Sequence, residues 1–147
     1  MRPHGLQVAI DQAIAGRDEG GIPIGSALEI DGEIVGRGRN RRMQKGSPIL
    51  HGEMDALEDA GRLSAFDYRR SVIYTTLSPC IMCTGAVLLY GIPTVVIGEN
   101  RTFLGAESLL ESSGVAVEVI DDHECLDLLT RFIEDNPHLW NEDIGEE

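Results

Sequence analysis

The residues of this sequence whose types and spacing could do chemistry are His51 and Glu53, in His51-Gly52-Glu53, and Cys80 and Cys83, in Pro79-Cys80-Ile81-Met82-Cys83. Two cysteines at i and i+3 in the first turn of a helix point to one side. The positive end of the helix lowers their thiol pKa values, so a divalent metal would find two soft anionic ligands in place. One histidine adds a third ligand, and three protein ligands leave the fourth tetrahedral position open, as in catalytic rather than closed structural zinc sites. Glu53, two residues beyond His51, is near such a metal by chain geometry without having to bind it. A carboxylate there can carry protons to and from a zinc-activated water. A lone C-x-x-C would equally suit a redox pair or a structural zinc, and a closed set with Glu53 as fourth ligand is the main rival reading.

These side chains need helices to hold them, and the chain supplies a regular alternation. Apolar residues at Leu6, Ala9, Ile10, Ala13 and Ile14 share one helical face, and Gly20-Gly21 ends that helix. An extended segment from Ile22 to about Ile30 turns at Asp31-Gly32 and returns from Ile34 to Gly38 as a hairpin. Arg39 to Ile49 is basic and punctuated by glycine and proline, and predicts a long loop. Helices are then predicted over His51–Ala60, Cys80–Tyr90, Phe103–Ser112 and His123–Glu134, with strands at Ser71–Thr76, Thr94–Gly98 and Val115–Ile120. The order α-β-β-α-β-α-β-α-β-α implies one three-layer α/β domain with a mixed sheet between helices. The acidic tail, Asn136 to Glu147, holds the only tryptophan, Trp140, and predicts a lid packed over the site.

Composition limits the function classes. With 147 residues, 12 Lys+Arg against 25 Asp+Glu and a net charge of −13, duplex nucleic acid is an unfavoured partner, because phosphate binding draws on concentrated positive charge. The basic stretch Arg37 to Lys45 is the one exception and reads as a solvated face. No window approaches the roughly 18 consecutive apolar residues of a membrane helix, and Met1 to Gln12 lacks the pattern of a secretory signal, so the expected location is cytoplasmic. Cys125, His4, His123 and His138 have no ligand-spaced partner and are assigned no role.

The combination of H-x-E with P-C-x-x-C is the signature of zinc nucleobase deaminases. The sequence resembles the cytidine and nucleobase deaminase superfamily, and within it the fungal-type cytosine deaminases. Further strings that carry the likeness are Gly20-Gly21-Ile22-Pro23-Ile24-Gly25, Gln44-Lys45-Gly46-Ser47, Tyr74-Thr75-Thr76-Leu77-Ser78, Tyr90-Gly91-Ile92-Pro93, Gly98-Glu99-Asn100 and Glu142-Asp143-Ile144-Gly145.

The resemblance implies a cytidine deaminase-like α-β-α sandwich with a five-stranded mixed sheet, a homodimer, and hydrolysis of free cytosine to uracil and ammonia. It also implies one Zn2+ per chain, with a bound water or hydroxide, held by His51, Cys80 and Cys83, with Glu53 as the proton shuttle. By the same resemblance the substrate contacts are the Asn40 side chain, the Gly52 backbone N–H, the Ser78 carbonyl and Asp143 at the ring N1–H, with Phe103 and Trp140 closing the pocket. A carboxylate at N1 favours a free base over a nucleoside. Asn141 and Ile81 depart from the family pattern, and an amide at 141 beside the substrate would open isocytosine or guanine as alternatives. A non-catalytic, zinc-stabilised binding domain is the alternative from a different class.

Overall fold

The computed structural model describes residues 1–146. Helix α1 spans His4–Asp18, followed by the hairpin β1 (Gly25–Ile30) and β2 (Glu33–Arg39). A single turn, α2 (Arg42–Lys45), interrupts the predicted basic loop, and α3 (Gly52–Ala60) and the short α4 (Ala65–Tyr68) lead to β3 (Ser71–Leu77). The remainder alternates: α5 (Ile81–Tyr90), β4 (Thr94–Glu99), α6 (Glu107–Ser112), β5 (Ala116–Val119), α7 (His123–Asp135) and α8 (Pro137–Asp143).

The sheet is five-stranded and mixed, in the order β2-β1-β3-β4-β5. The β1 strand pairs antiparallel with β2 and β3, while β3–β4 and β4–β5 are parallel. The strands' alternation divides the core in two. Ala27, Tyr74 and Val96 pack under α1 and α7 with Leu6, Ile10 and Leu128. Their neighbours Leu28, Ile73, Val95 and Ile97 face α3, α5 and α6 with Leu57, Val87 and Leu110. Successive strand residues point to opposite faces, so the apolar strands of the central sheet need helices on both sides. The expected three layers follow.

Two local devices aim the chain at the site. At the hairpin, Asp31 and Gly32 both have positive φ (51° and 83°), the requirement of the type I′ turn that matches strand twist. On β2, Gly36 and Gly38 let helix α3 lie directly on the strand: a Cβ at either would overlap the helix backbone at Ala56. The same helix satisfies the exposed strand edge. Asp59 accepts the Arg37 N–H at 2.9 Å and Asp55 accepts the Arg39 N–H at 3.0 Å. The edge that would otherwise offer itself for pairing is thus closed by side chains, and the end of β2 is tied to the helix that carries His51 and Glu53.

The structure shifts one expected boundary. Helix α6 begins at Glu107 rather than Phe103, because the buried Glu99 carboxylate accepts the N–H groups of Arg101 and Thr102 and holds 100–103 as a turn. The acidic tail forms helix α8, opened by Pro137 at its first position, where the missing N–H costs nothing.

Candidate active site

The chemistry-bearing residues of the two motifs stand at helix starts, although each helix begins one residue later than its motif. His51 is the N-cap of α3 and Cys80 the N-cap of α5, with Cys83 in the first turn of α5. Both helices begin where the chain leaves the sheet region, α5 directly after the C-terminal end of β3, the side on which open α/β sheets bind ligands.

There His51, Cys80 and Cys83 come together, with their ligand atoms all within 4.8 Å of one another. The Cys80 and Cys83 Sγ atoms are 3.7 Å apart, and His51 Nδ1 lies 3.4 Å from Cys80 Sγ and 3.8 Å from Cys83 Sγ. A tetrahedral zinc with ordinary Zn–S and Zn–N bonds would place its ligands about 3.8 Å apart (S to S) and about 3.6 Å apart (S to N). The donor set fits zinc in kind and in spacing. Glu53 is not part of the triad.

The electrostatics follow from burial and proximity. For Cys80 the hydrogen bond with the Cys83 thiol, helped by His51 and opposed by burial, pulls the thiol down to about 4. Cys83 shares that bond as the other partner and, being buried, is pushed up. Burial would lower the His51 imidazole, but its contacts with Asp143 and Cys80 and the nearby Glu53 charge outweigh burial and raise it to about 10. Glu53 is 5% exposed, and burial pushes its carboxyl up to about 7. A bound dication would compete with protons for the imidazole and both thiols, so its uptake would release them. Zinc uptake is expected to saturate at one equivalent per chain, and chelation to lower the melting temperature reversibly. Metal analysis and thermal unfolding with and without chelator check both.

Across the triad lies α8. Its Asp143 side chain is 1% exposed, and its two oxygens differ. Oδ2 accepts a hydrogen bond from Asn40 Nδ2 at 3.0 Å. Oδ1 has no hydrogen-bond partner, and its nearest cations, His51 Nε2 and Arg42 Nη1, stand back at 3.4 and 3.5 Å. Buried acceptors are rarely left unpaired, so this oxygen calls for a donor.

A pocket joins these parts, lined by His51, Glu53, Ser78, Cys80, Phe103 and Trp140, with Asp143 and the aliphatic Ile24, Leu77 and Ile144. Phe103 and Trp140 meet edge to face, their centroids 6.0 Å apart. The space among them is about 20 Å³, room for about one water.

Two sequence-predicted residues, Asn40 and Gly52, do not line this pocket. Asn40 is fully buried and already engaged: its amide nitrogen goes to Asp143 and its oxygen accepts the Arg42 N–H at 2.9 Å. Gly52 packs on Ile24 and Gly25 at the start of α3, where a Cβ would come within 3.3 Å of their backbone. Asn141 and Ile81 are not among the described residues lining it, and Ile81 is 68% exposed on α5. Arginines of the basic stretch are engaged with carboxylates: Arg39 with Glu19, Arg41 with Glu19 and Asp55, Arg42 with Glu142 and Asp143. Among the described residues no helix is long and apolar enough to cross a membrane. The sequence reading missed Glu107 and Glu99, two carboxylates buried beside the site; the Gly98-Glu99-Asn100 string was the one signal for the second.

Comparison with known proteins agrees with this geometry. The chain is 59% identical over 143 residues to a cytosine deaminase of Candida albicans, a match covering 97% of this chain and 95% of that one. It is 38% identical over 111 residues to a tRNA-specific adenosine deaminase of Streptococcus pyogenes, covering 72% of this chain and 68% of that one. The fold superimposes on a solved tRNA:A34 deaminase with a TM-score of 0.72 at 22% identity, covering 87% of this chain and all of the other. A family profile for the cytidine and deoxycytidylate deaminase zinc-binding region matches residues 3–99, which contain the triad and Glu53. Three ligands at zinc spacing, a carboxylate beside them outside the set, and that match together place the chain in the cytidine and deoxycytidylate deaminase zinc-binding family.

Proposed function

We propose that this protein hydrolyses free cytosine to uracil and ammonia. The observation that carries this reading is the orphaned Asp143 Oδ1, a buried acceptor in a pocket that also holds Glu53 and the metal-binding triad. A pyrimidine base has a ring N1–H to give it; a nucleoside has a sugar there instead. The long match to the Candida albicans cytosine deaminase supports the same choice, because 97% coverage leaves out about four residues and so takes in α8, which carries Asp143.

The residues divide the work. Zinc, when bound by His51, Cys80 and Cys83, supplies a water made acidic enough to attack near neutral pH. Asp143 accepts the ring N1–H and is held in place by Asn40. The Ser78 carbonyl has no hydrogen-bond partner among the described residues and accepts from the exocyclic amine. Glu53 takes a proton from the attacking water and delivers it to N3, then takes the second from the new C4 hydroxyl and gives it to the departing amine. A C4–O bond forms, the C4–N4 bond breaks, and water and cytosine leave as uracil and ammonia. Phe103, Trp140 and Ile144 exclude other water.

The test is a turnover panel on zinc-loaded protein, following ammonia release from cytosine, isocytosine, guanine, adenine and cytidine. Release from cytosine is expected. Silence on cytosine would overturn the reading, and silence on all five would return the zinc-stabilised binding domain.

Two features of the assembly belong to this proposal. The chain acts as one domain in which 136–147 is a lid: a space of about 20 Å³ cannot admit a pyrimidine until α8 moves. The chain also pairs with a second copy, for which Ile81, Leu89 and Tyr90 on α5, Leu109 on α6 and Leu104 before it offer exposed apolar side chains. Truncation after Asn136 should abolish turnover, and sedimentation of the intact protein should give twice the chain mass; unchanged turnover or a monomer would count against each. Such a dimer would work on small bases in the cytoplasm.

A further inference from the structure

Glu107 is a carboxylate left 9% exposed at the start of α6 that forms no ion pair among the described residues. Its partners are neutral: Oε2 accepts from Ser78 Oγ at 2.6 Å and Oε1 accepts from Asn100 Nδ2 at 3.3 Å. Burying a carboxylate without a cation is costly, and what this one holds is a single serine in the pocket wall.

Ser78 is fixed at every polar atom except one. Its N–H donates to Glu99 O at 3.0 Å. Its hydroxyl, obliged to donate to Glu107, accepts the Gly105 N–H at 2.9 Å. The next carbonyl, Pro79 O, accepts from Ala106 N at 3.1 Å and Thr84 Oγ1 at 3.4 Å. Gly105 lies so close that a Cβ there would overlap that carbonyl. Among the described residues the Ser78 carbonyl alone accepts no hydrogen bond, in a residue 2% exposed that lines the pocket. The same loop carries Phe103, and its other end is held by Glu99, whose carboxylate accepts from Arg101 N, Thr102 N and Thr102 Oγ1.

We propose that Glu107 is a positioning residue for the substrate's exocyclic amine: through the Ser78 hydroxyl it locks the Ser78 peptide so that its carbonyl stays available to the amine N–H. This rests on the cytosine reading. Because Glu107 acts on the group that reads the amine, its loss should be felt by ligands that have one and not by those that lack it. A general loosening of the pocket would be felt by both.

The experiment compares cytosine with pyrimidin-2-one, the same ring without the 4-amine. In Glu107→Ala the KM for cytosine should rise about tenfold or more, the loss of one charge-assisted hydrogen bond. The competitive inhibition constant of pyrimidin-2-one should change less than about twofold. Glu107→Gln, which keeps an acceptor for the Ser78 hydroxyl, should restore the KM to within about threefold of the wild type. Ser78→Ala should reproduce the amine-selective loss and serves if Glu107→Ala does not fold. Zinc content is measured in each. Equal weakening of both ligands, or no change in either, would overturn the proposal while leaving the cytosine reading standing. Failure of the wild type to turn over cytosine would overturn both.

Discussion

Glu53→Gln is expected to lower kcat for cytosine by about 10²–10⁴-fold, the usual share of general acid–base catalysis, with one zinc per chain retained. The substitution is close to isosteric, and the side chain lies outside the ligand set, so nothing that holds the metal is removed. What is lost is the ability to take and return a proton. The loss should fall on kcat more than on KM, because the amide can still occupy the buried space beside the triad. Burial pushes the Glu53 carboxyl up to about 7, and a bound dication would pull it down. Only the carboxylate can accept the first proton, so kcat/KM should fall as pH drops through the Glu53 pKa, and the variant should lack that acid limb. Steady-state ammonia release across pH, paired with metal analysis, checks both statements. Full activity in a zinc-replete variant would remove Glu53 from the mechanism.

The second large effect concerns Asp143. The wild-type protein should reject 1-methylcytosine by about 10⁴-fold or more in kcat/KM, since a site built to bond an N–H leaves a buried polar group unpaired when that hydrogen is missing. Asp143→Ala should lower kcat/KM for cytosine by about 10²–10³-fold, corresponding to roughly 3–4 kcal/mol for a charged hydrogen bond and its desolvated partner. It should also shrink the discrimination against the methylated base to about tenfold. Three groups lose a neighbour in that variant, Asn40, Arg42 and His51. A carboxylate against the second nitrogen of a metal-bound histidine commonly raises metal affinity by 10–100-fold, so the kinetics are read at saturating zinc. Competition between cytosine and 1-methylcytosine, followed by product analysis, gives the ratio directly. Undiminished rejection by the alanine variant would assign the N1 test to another residue.

Parts of the fold and the site were legible because they are local. The period-3.6 apolar row from Leu6 to Ile14, the Asp31-Gly32 turn and the β-branched runs each declare an element within a few residues. The ligand triad was legible for the same reason, since Cys80 and Cys83 share one helical turn and the His51–Glu53 step fixes the carboxylate near the histidine. Phe103 shows the limit. Its apolar neighbourhood reads as the start of a helix, but the Glu99 side chain caps a turn there instead, and local pattern carries no record of a side chain's hydrogen bonds.

The sequence by itself determined most of the helices and strands, the three residues that come together at zinc spacing, the carboxylate two residues beyond the histidine and the branch of the family, all of which depend on residue type at short spacing. Only the tertiary structure decided how distant residues share the work: that Asn40 supports Asp143 across 103 positions, that the other Asp143 oxygen accepts no hydrogen bond among the described residues, and that Glu107 holds Ser78 across 29. The reason is physical. A hydrogen bond between segments that meet only after the sheet has formed is fixed by packing, and short-range spacing does not specify it.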